Sequence, residues 1–145
     1  LTADYPMIDP GVLDDMVEMY TSGNWDFISN CVNRTYPDGL DAEVFTREAL
    51  EEAAIVATHP IQQKHVTPYI RSILPELGVG NFRRSDFLFT ADFSHLRWTL
   101  DTAEDLTRIR RLVSALPEGY SWLDAVALAN GEPKFLQSVS ETPSD

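Results

Sequence analysis

The sequence predicts an α/β layer fold with a mostly parallel sheet. Three observations lead there. Short strand-like apolar segments alternate with helical stretches of about ten residues or more. Several of those stretches open with recognisable capping residues. Hydrophobic residues make up 43% of the 145 positions, enough for one buried core without a disulfide or metal staple.

The first helix has Asp9 as N-cap and Pro10 at its first position. Leu13, Met16, Val17 and Tyr20 follow at helical spacing as its apolar face, and Ser22-Gly23-Asn24 ends it. Trp25 to Val32 reads as a strand centred on Phe27 and Ile28. In the loop from Arg34 to Leu40, Pro37-Asp38-Gly39 is a turn, with Pro fixing φ and Gly allowing φ > 0. Leu40 to Phe45 returns as a strand. Thr46 caps a second helix with Leu50, Ala53, Ala54 and Ala57 inward, broken at His59-Pro60. Gln62 to Leu74 reads as helical, closed by Pro75 and Gly78, and Leu77 to Leu100 as two or three strands. Thr102 to Asp105 has the form of a capping box, ahead of an apolar face of Leu106, Ile109, Leu112, Val113 and Leu116. Ser121 to Asp124 repeats that pattern, and Asn130-Gly131 closes the last helix. Residues 138–145 form a polar tail.

Lys and Arg number 11 against 23 Asp and Glu, a formal charge of -12. That argues against non-specific nucleic-acid binding and against a polybasic membrane anchor. Cys31 is alone, so no internal disulfide forms, which fits a cytoplasmic protein. No apolar run approaches the ~18 residues of a membrane span. The opening Leu1 to Pro6 lacks the features of a signal peptide, and its abrupt start is expected of a trimmed piece.

Asp4 and Asp101 each follow a strand-like run, Leu1 to Ala3 and Leu96 to Leu100. Ligands of open α/β sheets bind beyond the carboxyl ends of strands, and carboxylates there suit Mg²⁺. Equally, Asp4 can be an ordinary loop residue, and Asp101 can satisfy backbone N–H groups at the helix start. His59, His65 and His95 show no metal-binding spacing. Arg34, Arg71 and Arg97 are candidates for anion contacts, whereas Arg83-Arg84 and Arg110-Arg111 read as solvated faces. No glycine-rich phosphate loop is present, and Cys31 reads as a buried, inert thiol.

Four segments together resemble one family. They are Thr2 to Pro10 (TADYPMIDP), Ser29 to Phe45 with Arg34-Thr35-Tyr36-Pro37-Asp38-Gly39-Leu40-Asp41 at its centre, Lys64 to Ile70 (KHVTPYI), and Phe93 to Leu106 (FSHLRWTLDTAEDL). In this order they resemble the sugar-acid cytidylyltransferases, in particular the spore coat polysaccharide biosynthesis branch. The resemblance implies a Rossmann-like nucleotidyltransferase sheet, related to the GT-A glycosyltransferases, with flanking helices. It implies Mg²⁺-dependent transfer of CMP from CTP to a sugar or sugar acid, with release of pyrophosphate. Asp4 and Asp101 match the family's metal-binding and catalytic carboxylates. Arg34, Tyr36, Pro37, Gly39, Asp41, His65, Thr67, Tyr69 and Arg97 would lie on the substrate side, with Arg97 reaching an anion or bracing Asp101. The family's N-terminal triphosphate loop and its cytosine-recognition region have no counterpart here. The expected organisation is therefore the C-terminal part of one nucleotidyltransferase domain over residues 1–137, followed by the tail. The family also implies a homodimer, for which the aromatic stretch from Phe82 to Trp98 is a candidate contact. A glycosyltransferase consuming a nucleotide-sugar and a catalytically silent binding or dimerisation module are the alternatives.

Overall fold

The computed structural model describes residues 3–65, 67–71 and 80–131. Leu1 and Thr2 of the expected first strand, Val66, positions 72–79 and the tail lie outside the described residues. Among those described, the order is α1 (Pro10–Ser22), β1 (Phe27–Ser29), β2 (Glu43–Phe45), α2 (Arg47–Val56), α3 (Pro60–Lys64), α4 (Pro68–Arg71), β3 (Arg84–Asp86), α5 (Ala103–Ser114) and α6 (Trp122–Gly131).

The sheet has the order β2-β1-β3 and is mixed. β1 runs antiparallel to β2, with Ile28 opposite Val44, and parallel to β3, with Ile28 opposite Ser85. Connectivity accounts for the departure from a mostly parallel sheet. No helix lies between β1 and β2, so the chain doubles back through the Pro37 turn. The helices α2 to α4 intervene before β3 and allow a parallel return. Phe27, Ile28 and Ser29 are all buried, as a central strand requires.

From Leu77 to Leu100 the described residues give β3 and a single parallel bridge between Asp38 and Arg97, fewer strands than the composition predicts. The β-forming side chains of this stretch serve packing instead. Phe87, Phe89 and Phe93 pack against a core of Tyr36, Leu40, Leu96, Trp98, Ile109, Leu112 and Trp122. The backbone between them is held by Ser29 and Thr35: Phe87 N donates to Ser29 O, Phe89 N to Thr35 Oγ1 and Phe93 N to Thr35 O, each at 2.8 Å. A second cluster joins Phe27 and α2 to Tyr69 and Ile70, and a third joins Met16 to Ile28 and Ala42.

The caps form as read. Thr46 Oγ1 accepts from Ala49 N, and Thr102 and Asp105 complete a capping box. Two helix faces are rotated from the sequence reading. In α1, Val12 and Met16 are buried while Val17 is 47% exposed, and in α2 Ala49 replaces Leu50 on the buried side. The expected single helix from Gln62 begins earlier, at Pro60, and is divided at His65.

Asp9 has a role that its N-cap position alone does not convey. Its Oδ1 accepts from Gly11 N at 2.7 Å and Val12 N at 3.4 Å, and its Oδ2 accepts from Trp122 N at 2.7 Å. One carboxylate thus serves the starts of α1 and α6. Asp9→Ala removes all three hydrogen bonds, at two helix starts, and is expected to cost about 2 kcal/mol, against about 1 kcal/mol for the single cap in Thr46→Ala. Urea denaturation of the two variants measures that difference.

Candidate functional site

Three segments distant in sequence meet along one seam. Asp38 N donates to Leu96 O at 2.9 Å, and Trp98 N donates to Asp38 O at 2.6 Å. Leu100 N donates to Asp4 O at 2.9 Å. The loop that starts at Arg34 therefore lies along residues 96–98, and Asp4 lies beside the residue preceding Asp101. Gly39 makes the close approach possible. Its φ is +110°, and a Cβ there would stand 2.8 Å from the Trp98 carbonyl carbon.

Charged side chains line this seam. Arg34 grips Asp41 with both terminal nitrogens, Nη2 to Oδ2 at 2.7 Å and Nη1 to Oδ1 closer still. Burial opposes the charge on Arg34, but the hydrogen bonds and charge of Asp41 outweigh it and raise the guanidinium pKa. Asp38 stands between two arginines, with Oδ1 3.5 Å from Arg34 Nη1 and Oδ2 4.0 Å from Arg97 Nε. Burial lifts the Asp38 pKa; Arg34 opposes that rise and Asp41 adds to it.

Arg97 takes the bracing role. Its Nη2 donates to Asp101 Oδ2 in a tight contact, and its Nη1 donates to Asp105 Oδ1 at 3.2 Å. Thr99 Oγ1 also donates to Asp101 Oδ2, at 2.8 Å. One Asp101 oxygen is thereby fixed, and among the described residues the other has no donor. The Asp101 side chain is 52% exposed. Asp105, which the sequence reading took as a cap, is the buried hub beneath it. It accepts from Asp101 N, Thr102 N, Thr102 Oγ1, Arg97 and Arg108. Burial disfavours its charge, yet these bonds prevail and its pKa lies below the ordinary carboxylate range. The capping-box pattern located Asp105, but no local signal joined it to Arg97.

The other expected substrate-side residues are distributed differently. Tyr36 is buried, stacked on Phe87 at 5.6 Å and tilted against Trp122 at 5.0 Å; burial first and Asp15 second push its hydroxyl up to about 12. Pro37 and Gly39 are buried beneath the loop. Tyr69 is buried edge-on to Phe82, and its hydroxyl donates to Glu52 at 2.9 Å. Thr67 donates to Glu43 Oε2 at 2.8 Å, and Arg71 pairs with the other oxygen of that carboxylate. His65 is exposed just after α3. Among the described residues no hydrogen bond or ion pair joins His65, Thr67, Tyr69 or Arg71 to Asp4 or Asp101; the link of Arg71 to the seam is electrostatic, through the charge of Asp41.

Three further sequence readings are refined. Arg83 is indeed exposed, but both it and its backbone N–H hold Asp26. Arg84 is half-buried and donates to the carbonyls of Ile70, Gly80 and Phe82, whereas Arg110 and Arg111 are exposed. Cys31 is only partly buried, 3.1 Å from Ser29 Oγ, and burial pushes its thiol up despite that contact.

For a divalent cation the donor chemistry is suitable. Asp4 and Asp101 offer hard carboxylate oxygens, and Mg²⁺ commonly takes one or two carboxylates, completing its shell with water and substrate phosphates. No group of three or more His, Cys, Asp or Glu side chains able to hold a metal forms among the described residues. No helix among them is long and apolar enough to cross a membrane.

No family model matches the chain. It is 31% identical, over 92% of its length, to the spore coat polysaccharide biosynthesis protein SpsF of Bacillus subtilis, of which the match covers 54%. It is 39% identical over 70 residues to the uncharacterized protein MJ1063 of Methanocaldococcus jannaschii, covering 48% of this chain and 28% of that one. A cytidylyltransferase structure from Leptospira borgpetersenii superposes with a TM-score of 0.82 at 30% identity, covering all of this chain and 59% of the other. The chain thus spans little more than half the length of these relatives at most. The sequence match along nearly its whole length and the shared Rossmann-like nucleotidyltransferase fold support a CMP-sugar synthetase-like family member.

Proposed function

We propose that this protein takes part in transferring CMP from CTP to a sugar, with release of pyrophosphate, for surface polysaccharide synthesis. The observation that supports this most is the seam, where backbone bonds from Leu100 to Asp4 and from Asp38 to residues 96–98 gather carboxylates and arginines from three remote segments. Asp4 and Asp101 are the residues that would hold Mg²⁺. When bound, the ion supplies electrostatic stabilisation of charge on the phosphate oxygens. Arg97 and Thr99 keep Asp101 in one orientation, with its second oxygen facing no protein donor among the described residues. The sugar hydroxyl would attack the α-phosphorus of CTP and release its proton to solvent as the new P–O bond forms and the P–O bond to pyrophosphate breaks. Arg34 and Asp41 brace the loop that carries Asp38, and exposed His65 is a further candidate on the sugar side. The protein would act in the cytoplasm, as a homodimer.

The test is pyrophosphate release by the full-length protein from CTP in the presence of candidate sugars. Asp101→Asn is expected to reduce the rate by roughly two orders of magnitude or more, the scale of several kcal/mol of lost charge stabilisation. Consumption of a nucleotide-sugar without pyrophosphate release would instead identify a glycosyltransferase.

A further inference from the structure

Asp105 does more than a helix cap requires. A capping box asks its acidic residue for one acceptor. Here Oδ2 meets that need by itself, accepting from Asp101 N at 3.1 Å, Thr102 N at 2.9 Å and Thr102 Oγ1 at 3.0 Å. Oδ1 has a separate use. It accepts from Arg97 Nη1 at 3.2 Å and from Arg108 Nη2 at 2.8 Å. Arg108 stands one turn along α5, beyond the segments that carry the family resemblance.

The other terminal nitrogen of Arg108, Nη1, donates to Arg97 O at 2.8 Å. The bridge to Asp38 uses Leu96 O and Trp98 N, not that carbonyl. Arg97 is therefore registered against α5 twice, its backbone by Arg108 and its side chain by the Asp105 carboxylate that Arg108 shares. The far end of Arg97 reaches Asp101 Oδ2, where Thr99 Oγ1 also donates. Exposure falls along this series, from 52% at the Asp101 side chain to 25% at Arg97, 15% at Arg108 and 5% at Asp105. Asp101 reaches solvent and is held only by the enclosed groups behind it. A carboxylate that binds a cation depends on such groups to fix which oxygen it presents.

We infer that Arg108 is a positioning residue for the cation site: through Asp105 and Arg97 it keeps one Asp101 oxygen engaged and leaves the other for the metal. The inference rests on the reading of Asp4 and Asp101 as a divalent-cation site and adds a residue that holds that site in register. Charge alone makes the opposite prediction. A guanidinium near a cation site repels the cation, so its removal should tighten binding. Removal of a brace should weaken it.

The experiment is titration of Mn²⁺ into the full-length protein, with free Mn²⁺ read by electron paramagnetic resonance, so that no turnover is needed. Arg108→Met, which keeps an unbranched side chain without the charge, is expected to weaken Mn²⁺ binding roughly ten-fold, the low end of the cost of removing a group that orients a metal ligand. Arg108→Lys keeps the charge but cannot hold the carbonyl and the carboxylate together as the planar fork does, and is expected to weaken binding by a smaller factor. It tests the inference even where Arg108→Met does not fold. Arg111→Met, which removes the same charge from an exposed position on α5, is expected to leave the affinity within about two-fold of the parent. Melting temperatures show which variants are folded. Unchanged or tighter Mn²⁺ binding in either folded Arg108 variant, or an equal loss in Arg111→Met, overturns the inference alone. A parent protein that binds no Mn²⁺, or a folded Asp101→Asn that binds it as the parent does, overturns the cation-site reading as well, so the two failures are distinguishable.

Discussion

Gly39→Val is expected to destabilise the protein by about 4 kcal/mol, adding the strain of an L-residue at positive φ to that of forcing atoms into a packed seam. At +110° the backbone is in a region that suits glycine, and the atoms a Cβ would meet are the Trp98 carbonyl carbon at 2.8 Å, its oxygen at 2.9 Å and Thr99 N at 3.0 Å. All three are backbone and cannot rotate away. Relief requires moving the loop off residues 96–99, which breaks the two Asp38 hydrogen bonds and displaces Asp38 from Arg97. Gly119 is the internal comparison. Its φ is +73°, with nothing within 4 Å of a Cβ, so Gly119→Ala carries backbone strain alone and should cost only about 1 kcal/mol. Urea denaturation of both variants separates the two contributions. A Gly39→Val loss no greater than that of Gly119→Ala would mean that the loop does not depend on this close approach.

Asp105→Asn is expected to cost about 3–5 kcal/mol, the range for breaking a buried ion pair and leaving its partners uncompensated. The substitution leaves Arg97 and Arg108 without their shared carboxylate and weakens the acceptor for two backbone N–H groups. Its effect reaches the site, because Arg97 is then free to shift on Asp101. The same residue gives a pH signature. A carboxyl group whose folded pKa is depressed stabilises the fold above its unfolded value and loses that contribution as pH falls through the folded value. Asp105 is depressed, and Asp26 falls from 3.8 to about 2 because of its hydrogen bonds with Arg83. Stability of the parent protein should therefore decline as pH falls from about 3.8 toward 2, and Asp105→Asn should show a shallower decline. An equally steep decline in the variant would remove Asp105 from the acid response.

Local signals were the most legible part of the fold. Asp9-Pro10, Thr46, the Thr102 box and the Ser121 box name their own helix starts, because capping depends on residues only two or three positions apart. Burial was less legible where two faces compete. Val17 and Leu50 lie at helical spacing with true core residues, but the neighbouring elements select Val12 and Ala49 instead. The stretch from Phe82 to Trp98 carries a strand's composition, yet from Phe87 onward its rings fill the core around Tyr36 and Trp122, Phe82 packs on Tyr69, and its backbone is bonded to Thr35 and Asp38. Of the candidate site along the seam, Asp4, Asp101, Arg34, Asp41 and Arg97 are named as site residues by the family resemblance alone. That Arg97 would serve Asp101 and Asp105 at once, and that Asp38 would stand between Arg34 and Arg97, depends on a parallel bridge between positions far apart in sequence, which spacing does not encode.

The central claim is that Asp4 and Asp101 act on one divalent cation at this seam. Its most direct test is titration of Mn²⁺ into the protein, with and without CTP, followed by electron paramagnetic resonance. The account predicts one bound ion, strengthened by CTP and lost in Asp4→Asn and in Asp101→Asn alike, with both variants still folded. Mn²⁺ binding that persists unchanged in either folded variant would contradict it.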